Sequence, residues 1–241
     1  MTKKLYWEDA YMKEFKASVK NADAEKITLD QTAFYPTSGG QPSDMGIIIA
    51  NKEEYRVTDV REENGEVVHV LDREFRHDTG TLIEGRIDWQ RRHSLMRYHT
   101  ALHVLCAVVE NRYSGKWKGG MIYTDKSHVD FDLQALNSEL SAKIVDEANA
   151  AIEEGHNVYS RFLSSEEALA NPSLAKTEPG RELIKKLNII RVVEIENLDI
   201  QMDGGTHVLN TREIGRLKLS DFSNKGAHRK RVEITIAQNR A

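Results

Sequence analysis

At residue 89 the hydrophobic period of the chain changes, and that change decides what it can fold into. Before it, runs such as KITLDQTAFY, YRVTDVREE and EVVHVLDRE alternate apolar and polar residues between Gly, Asn and Pro turns, the period of half-buried strands. After Trp89, the residues Leu95, Tyr98, Leu102, Leu105 and Val109 recur at three- and four-residue spacing, the period of a helix. The expectation is an α+β chain: a small N-terminal β-barrel or sandwich over residues 1–88, then an α+β domain with an antiparallel sheet over 89–241. With 241 residues, both parts can bury a core.

In the second part the first helix is expected to stop between Arg112 and Gly115, with Gly119 and Gly120 leading into a hairpin of MIYTD and SHVDFDL. Residues 136–155 read as a helix with a glycine C-cap, and NVYSRFLS as a strand. EEALANPSLAKTEPG reads as a short helix followed by a loop, RELIKKL as helix and IIRVVEIE as a buried strand. After DGGTHV, a glycine turn, the chain returns to strands.

Lys and Arg number 34 against 38 Asp and Glu, a net charge of −4, which argues against indiscriminate nucleic-acid binding. Two local basic clusters are nevertheless present, Arg86/Arg91/Arg92/Arg97 and Lys225/His228/Arg229/Lys230/Arg231. No apolar run approaches the roughly 20 residues of a membrane span, and MTKKLYWEDAYMKEF is not a secretory signal, so no membrane partner and a cytoplasmic location are expected. Cys106 is the only cysteine and reads as a small core residue. A metal site must then come mainly from histidines and carboxylates.

His99 and His103 stand four apart in HTALH, one turn apart on one helix face. Alone, such a pair also suits a partly exposed polar face, but the neighbours Tyr98, Leu102, Val104 and Leu105 are apolar, and buried imidazoles need partners. A zinc peptidase would carry Glu beside the first histidine, where this chain has Thr100. In DGGTHV, Asp203 and His207 flank two glycines that permit a tight turn, completing four ligands for one Zn2+. FYPTSGGQPSDMG reads as a site-like loop or a hairpin turn, with Gly39 and Gly40 able to bring N–H groups close to a ligand.

LDQTAFYPTSGGQPSDMG (29–46), RRHSLMRYHTALHVL (91–105), DGGTHVLNTREIG (203–215) and NKGAHRKRVEI (224–234) occur in that order. Together they resemble the editing domain of alanyl-tRNA synthetase and the free-standing AlaX proteins, of the medium-length class. The resemblance implies a hydrolase that deacylates Ser-tRNA(Ala), and Gly-tRNA(Ala) as a second substrate, with one Zn2+ per chain and the tRNA(Ala) acceptor end as partner. Within it, Thr32 is the candidate contact for a misplaced serine hydroxyl. Gln41 and the amides of Gly39 and Gly40 are candidates for the reacting carbonyl, and Arg91, Arg92, Arg97, Lys225, Arg229 and Arg231 for phosphates. Asp130 and Asp132 can instead pair some of these arginines. The family pattern is Cys-Gly-Gly-Thr-His, and Asp203 stands in place of its cysteine. A relative that binds tRNA and metal without hydrolysis is the alternative reading. No motif sets an oligomeric state.

Overall fold

The computed structural model describes residues 1–171, Leu174 and 178–237. The chain forms two compact units, Met1–Leu95 and Met96–Ala241.

The first unit is a closed barrel rather than a sandwich. Its strands are β2 (Glu14–Asp23), β3 (Lys26–Leu29), β5 (Gly46–Ala50), β6 (Glu53–Glu63), β7 (Glu66–Leu71) and β8 (Leu82–Ile87), hydrogen-bonded in the order β2-β3-β7-β6-β5-β8. Every pair is antiparallel. Two further strands, β1 (Lys3–Lys4) and β4 (Gln31–Thr32), pair in parallel beside it. Alternation along β2 turns Phe15, Ala17 and Val19 inward, where they join Leu29, Phe34, Ile48, Val57 and Ile83 in one core. A side chain at Gly85 would place its Cβ 2.3 Å from the Phe15 ring, so only glycine lets β8 lie against that ring.

A long helix, α1 (Trp89–Tyr113), contains the division between the units. Asp88 caps it, its carboxylate accepting from the Arg91 N–H at 3.1 Å and its carbonyl from Arg92 at 2.9 Å. Residues 98–109 are all buried, so α1 is enclosed on every side there rather than amphipathic.

In the second unit, β9 (Lys116–Ile122), β10 (Ser127–Asp132), β14 (Leu217–Asn224) and β15 (Lys230–Ile236) form an antiparallel sheet in the order β14-β15-β10-β9. Gly119 and Gly120 do not precede this hairpin but lie inside β9. Gly119 faces Asp130 and Trp117 faces Phe131, so Lys118 is an extra residue at a bulge, which the Gly119 φ of 147° accommodates. Helix α2 (Ser138–Glu154) has Asn137 as its N-cap and Gly155 at φ 82° as its C-cap, and it buries Ile144, Val145, Ala148 and Ile152. A second antiparallel sheet runs β11 (Val158–Ser164), β12 (Ile189–Ile195), β13 (Asp199–Met202) in that order. Short helices α3 (Ser165–Leu169) and α4 (Glu178–Ile184) lie between β11 and β12 in the chain. The loop expected through the end of EEALANPSLAKTEPG stops short of it, since residues 178–180 open α4; residues 172, 173 and 175–177 fall outside the described residues. Among the described residues no helix is long and apolar enough to cross a membrane.

Candidate metal centre

Two segments of the second unit meet at one point. α1 carries His99 and His103 one turn apart, and the turn after β13 carries Asp203 and His207. One ligating atom from each of the four lies within 4.8 Å of all the others. The Asp203 carboxylate is the hub: Oδ2 lies 3.2 Å from His99 Nε2 and 3.5 Å from His103 Nε2, and Oδ1 lies 3.3 Å from His207 Nε2. The three histidines are 4–6% exposed, which keeps bulk water from competing for their nitrogens.

Glycine freedom does not shape the turn, since neither Gly204 nor Gly205 is among the glycines with positive φ. Instead the Asp203 carboxylate accepts the Gly205 N–H at 2.5 Å, and Arg191 of β12 donates Nη1 to the carbonyls of Asp203 and Gly205, each at 3.0 Å. Behind the rings, Thr100 Oγ1 lies 3.2 Å from His207 Nδ1, and Asp199 Oδ2 lies 3.1 Å from His103 Nδ1. The Gln201 amide nitrogen sits 2.8 Å from Asp199 Oδ2 and 2.7 Å from His103 Nδ1. Sequence reasoning missed Arg191, Asp199 and Gln201. Their signal was present: a charge inside the apolar run IIRVVEI, and two polar residues at alternate positions of a strand that bury the same face.

Burial pushes the Asp203 carboxyl up, but His99, His103 and His207 more than offset it and hold it well below the usual range. Burial, reinforced by His99, holds His207 well below the usual imidazole value. Burial works to lower His103, but Asp199 and Asp203 raise it to about 9 in the metal-free cluster, so an ion would have to displace that proton; an ionised carboxylate and a neutral imidazole are the forms that bind metal. Three imidazole nitrogens around a carboxylate suit a tetrahedral cation such as Zn2+, so these residues fit the ion. Cys106 is buried and outside this set.

The other expected site residues are not among these four. Gly39 and Gly40 (φ 58° and 84°) are the central residues of a two-residue turn closed by paired Ser38 and Gln41 backbone bonds of 3.1 and 2.9 Å. Those bonds do not use the amides of Gly39 or Gly40. Gln41 is wholly buried. Thr32 is also wholly buried, its hydroxyl 2.8 Å from His69 Nε2 and 3.1 Å from the Phe34 N–H.

Arg92, expected at phosphate, has no exposed surface. It grips the Asp44 carboxylate through Nε at 2.8 Å and through Nη2, and donates to the carbonyls of Ala33 (2.5 Å) and Ala10 (2.8 Å). Ala33 and Asp44 bracket the glycine turn, so Arg92 holds the two legs of that loop. Arg91 donates Nε to the Ser43 carbonyl at 3.0 Å, and Arg97 donates Nε and Nη2 to the Ile214 carbonyl at 2.9 and 2.6 Å. Arg229 and Arg231 both bind Asp130, with Nε–O distances of 2.7 Å. Asp132 meets Lys118 and His228 instead. Lys225 is exposed where the β14–β15 hairpin turns.

Residues 6–91 match the family described as tRNA synthetases class II (A), and residues 190–233 match the threonyl and alanyl tRNA synthetase second additional domain. The chain is 39% identical over 238 residues to alanyl-tRNA editing protein AlaX-M of Saccharolobus solfataricus, covering 98% of this chain and 99% of that protein. It is 36% identical to AlaX-M of Methanosarcina mazei, covering 98% and 97%. Alanine–tRNA ligase of Ignicoccus hospitalis is 39% identical over 90% of this chain, which spans 24% of that enzyme. With such identity across nearly the whole length of both sequences, the chain belongs to the AlaX-M family of alanyl-tRNA editing proteins.

Proposed function

We propose that this protein is a cytoplasmic trans-editing hydrolase that cleaves the ester joining serine, and also glycine, to the acceptor end of tRNA(Ala). The observation that carries the reading is the convergence of His99, His103, Asp203 and His207 in a chain with AlaX-M relatives along its whole length. In this reading residues 1–88 carry the glycine loop and 89–241 the metal centre.

The four residues would hold one Zn2+, which supplies Lewis acidity toward an ester carbonyl or a water. Buried surroundings strengthen every charge interaction at such a centre. The amides of Gly39 and Gly40 are the donors for an ester carbonyl that gains negative charge, joined by the Gln41 side chain on local opening, because Gln41 is enclosed. Thr32 discriminates serine from alanine. Its hydroxyl has one proton and two lone pairs; donating to His69 Nε2 and accepting from Phe34 N–H leaves one lone pair for a serine hydroxyl. That contact requires local opening, because Thr32 is enclosed. Arg91, Arg97 and Lys225 are the phosphate contacts, joined by Arg229 and Arg231, which Asp130 orients.

The test is release of labelled serine from Ser-tRNA(Ala), with Ala-tRNA(Ala) as control, on protein of measured zinc content. Serine release with alanine spared supports the reading. tRNA binding without release overturns it in favour of an inactive relative, and Asp203→Cys then tests whether the cysteine of the family pattern restores turnover.

A further inference from the structure

Thr100 takes the position beside the first histidine of the HTALH helix, where a zinc peptidase carries its general base. Here the side chain is wholly buried and turned toward another ligand. Its oxygen has three neighbours: the Met96 carbonyl at 3.0 Å, His207 Nδ1 at 3.2 Å and the Val208 N–H at 3.2 Å.

A hydroxyl has one proton to give and two lone pairs to accept with. The Met96 carbonyl can only accept, so it takes the proton. The Val208 amide can only donate, so it takes one lone pair. What remains for His207 is the second lone pair, and Nδ1 must therefore carry a proton. In a neutral imidazole that leaves Nε2 bare. Nε2 is the nitrogen that faces the Asp203 carboxylate at 3.3 Å. A bare nitrogen and a carboxylate oxygen so placed have no proton to share, and both are electron-pair donors to a cation.

We propose that Thr100 is a positioning residue of the metal centre: it fixes His207 as the Nδ1–H tautomer and aims Nε2 at the ion. The bond to Met96, one turn back on α1, holds the Thr100 side chain in place, and the bond from Val208 pins the backbone directly after His207. α1 thus supplies two ligands and the hydrogen bond that orients a third, which arrives from a segment 107 residues away. Outer partners of this kind are worth about 10–100-fold in metal affinity. The inference rests on reading the four-residue cluster as a Zn2+ site.

The experiment is titration of the full-length protein with Zn2+ against a chromophoric chelator, for wild type, Thr100→Val and Thr100→Ser. Each metal-free protein is also melted, to separate affinity from folding. Thr100→Val keeps the shape and loses the acceptor; its Zn2+ affinity is expected to fall about 10–100-fold, with Thr100→Ser restoring most of it. In parallel, zinc-loaded wild type carrying 15N-histidine should show a proton attached to His207 Nδ1. Equal affinity in wild type and Thr100→Val, or a proton on His207 Nε2, overturns the proposal. The nitrogen spectrum of wild type decides the matter if Thr100→Val does not fold. A wild type that takes up no Zn2+ brings down the metal reading and this inference with it. Zinc uptake by wild type that Thr100→Val matches removes Thr100 alone.

Discussion

Acidification to pH 5 destabilises the barrel through His69. The ring is wholly buried on β7, with Nδ1 3.4 Å from the Ile27 carbonyl and Nε2 2.8 Å from the Thr32 hydroxyl. Burial lowers its pKa from 6.5 to about 4, opposed by the bond to Ile27. In the unfolded chain the ring regains its ordinary value and binds a proton that the folded barrel refuses. Because the folded value is the depressed one, the stabilisation is complete above about pH 6.5 and drains away as the pH falls toward about 4. The gap of about 2.5 pH units is worth ~3 kcal/mol in full at 1.36 kcal/mol per unit, and ~2 kcal/mol of it is gone by pH 5.

The measurement is urea unfolding at pH 8 and pH 5 for wild type and for His69→Gln, which keeps an amide near the Nε2 position and cannot titrate. Carboxylates and the other histidines titrate in both proteins and cancel in the difference. Wild type should lose about 2 kcal/mol more than the variant between the two pH values. Equal losses would show that His69 is not held neutral by burial, and the reasoning from its environment would fail.

Arg92→Met should cost about 3–5 kcal/mol in urea unfolding by stranding the buried Asp44 carboxylate; adding Asp44→Asn should recover part of that loss, and a double variant as unstable as the sum of the two would refute the pairing. Lys225→Gln should weaken tRNA binding and reduce the slope of log affinity against log salt by about 1, measured by filter binding over a salt series. Gly39→Ala should cost about 1–2 kcal/mol in thermal or urea unfolding. Its Cβ would meet nothing within 4 Å, so the cost comes from the φ of +58° alone.

What the sequence made legible was local. The four-residue spacing of His99 and His103 determines that they share a helix face, and two-residue alternation against three- and four-residue spacing distinguished the strands of the barrel from α1. Asp203 and His207 were found because they too are close in the chain. What local spacing does not show is partners far apart in the chain. Arg91, Arg92 and Arg97 look alike as a basic cluster, yet Arg92 is a buried clasp because Asp44, 48 residues earlier, folds against it. The pairing of Asp130 with arginines was one of two readings open in the sequence; strand register selects Arg229 and Arg231 for it, because β10 lies beside β15 with Asp130 opposite Arg231.

The candidate metal centre divides along the same line. Its four residues form two local pairs, and donor chemistry suggested joining the pairs. The residues that hold those four side chains, Thr100, Asp199 and Arg191, act on partners chosen by strand register and helix packing. In DGGTHV the glycines suggested that backbone freedom shapes the turn, but an arginine on the adjacent strand β12 does so, bridging the carbonyls of Asp203 and Gly205. An Asp at position 203 can serve both ends of this arrangement: one carboxylate faces three imidazole nitrogens and also accepts the Gly205 N–H that closes its own turn. A thiolate is a weaker hydrogen-bond acceptor than a carboxylate oxygen, so the same turn carrying cysteine would depend more heavily on Arg191 for its shape.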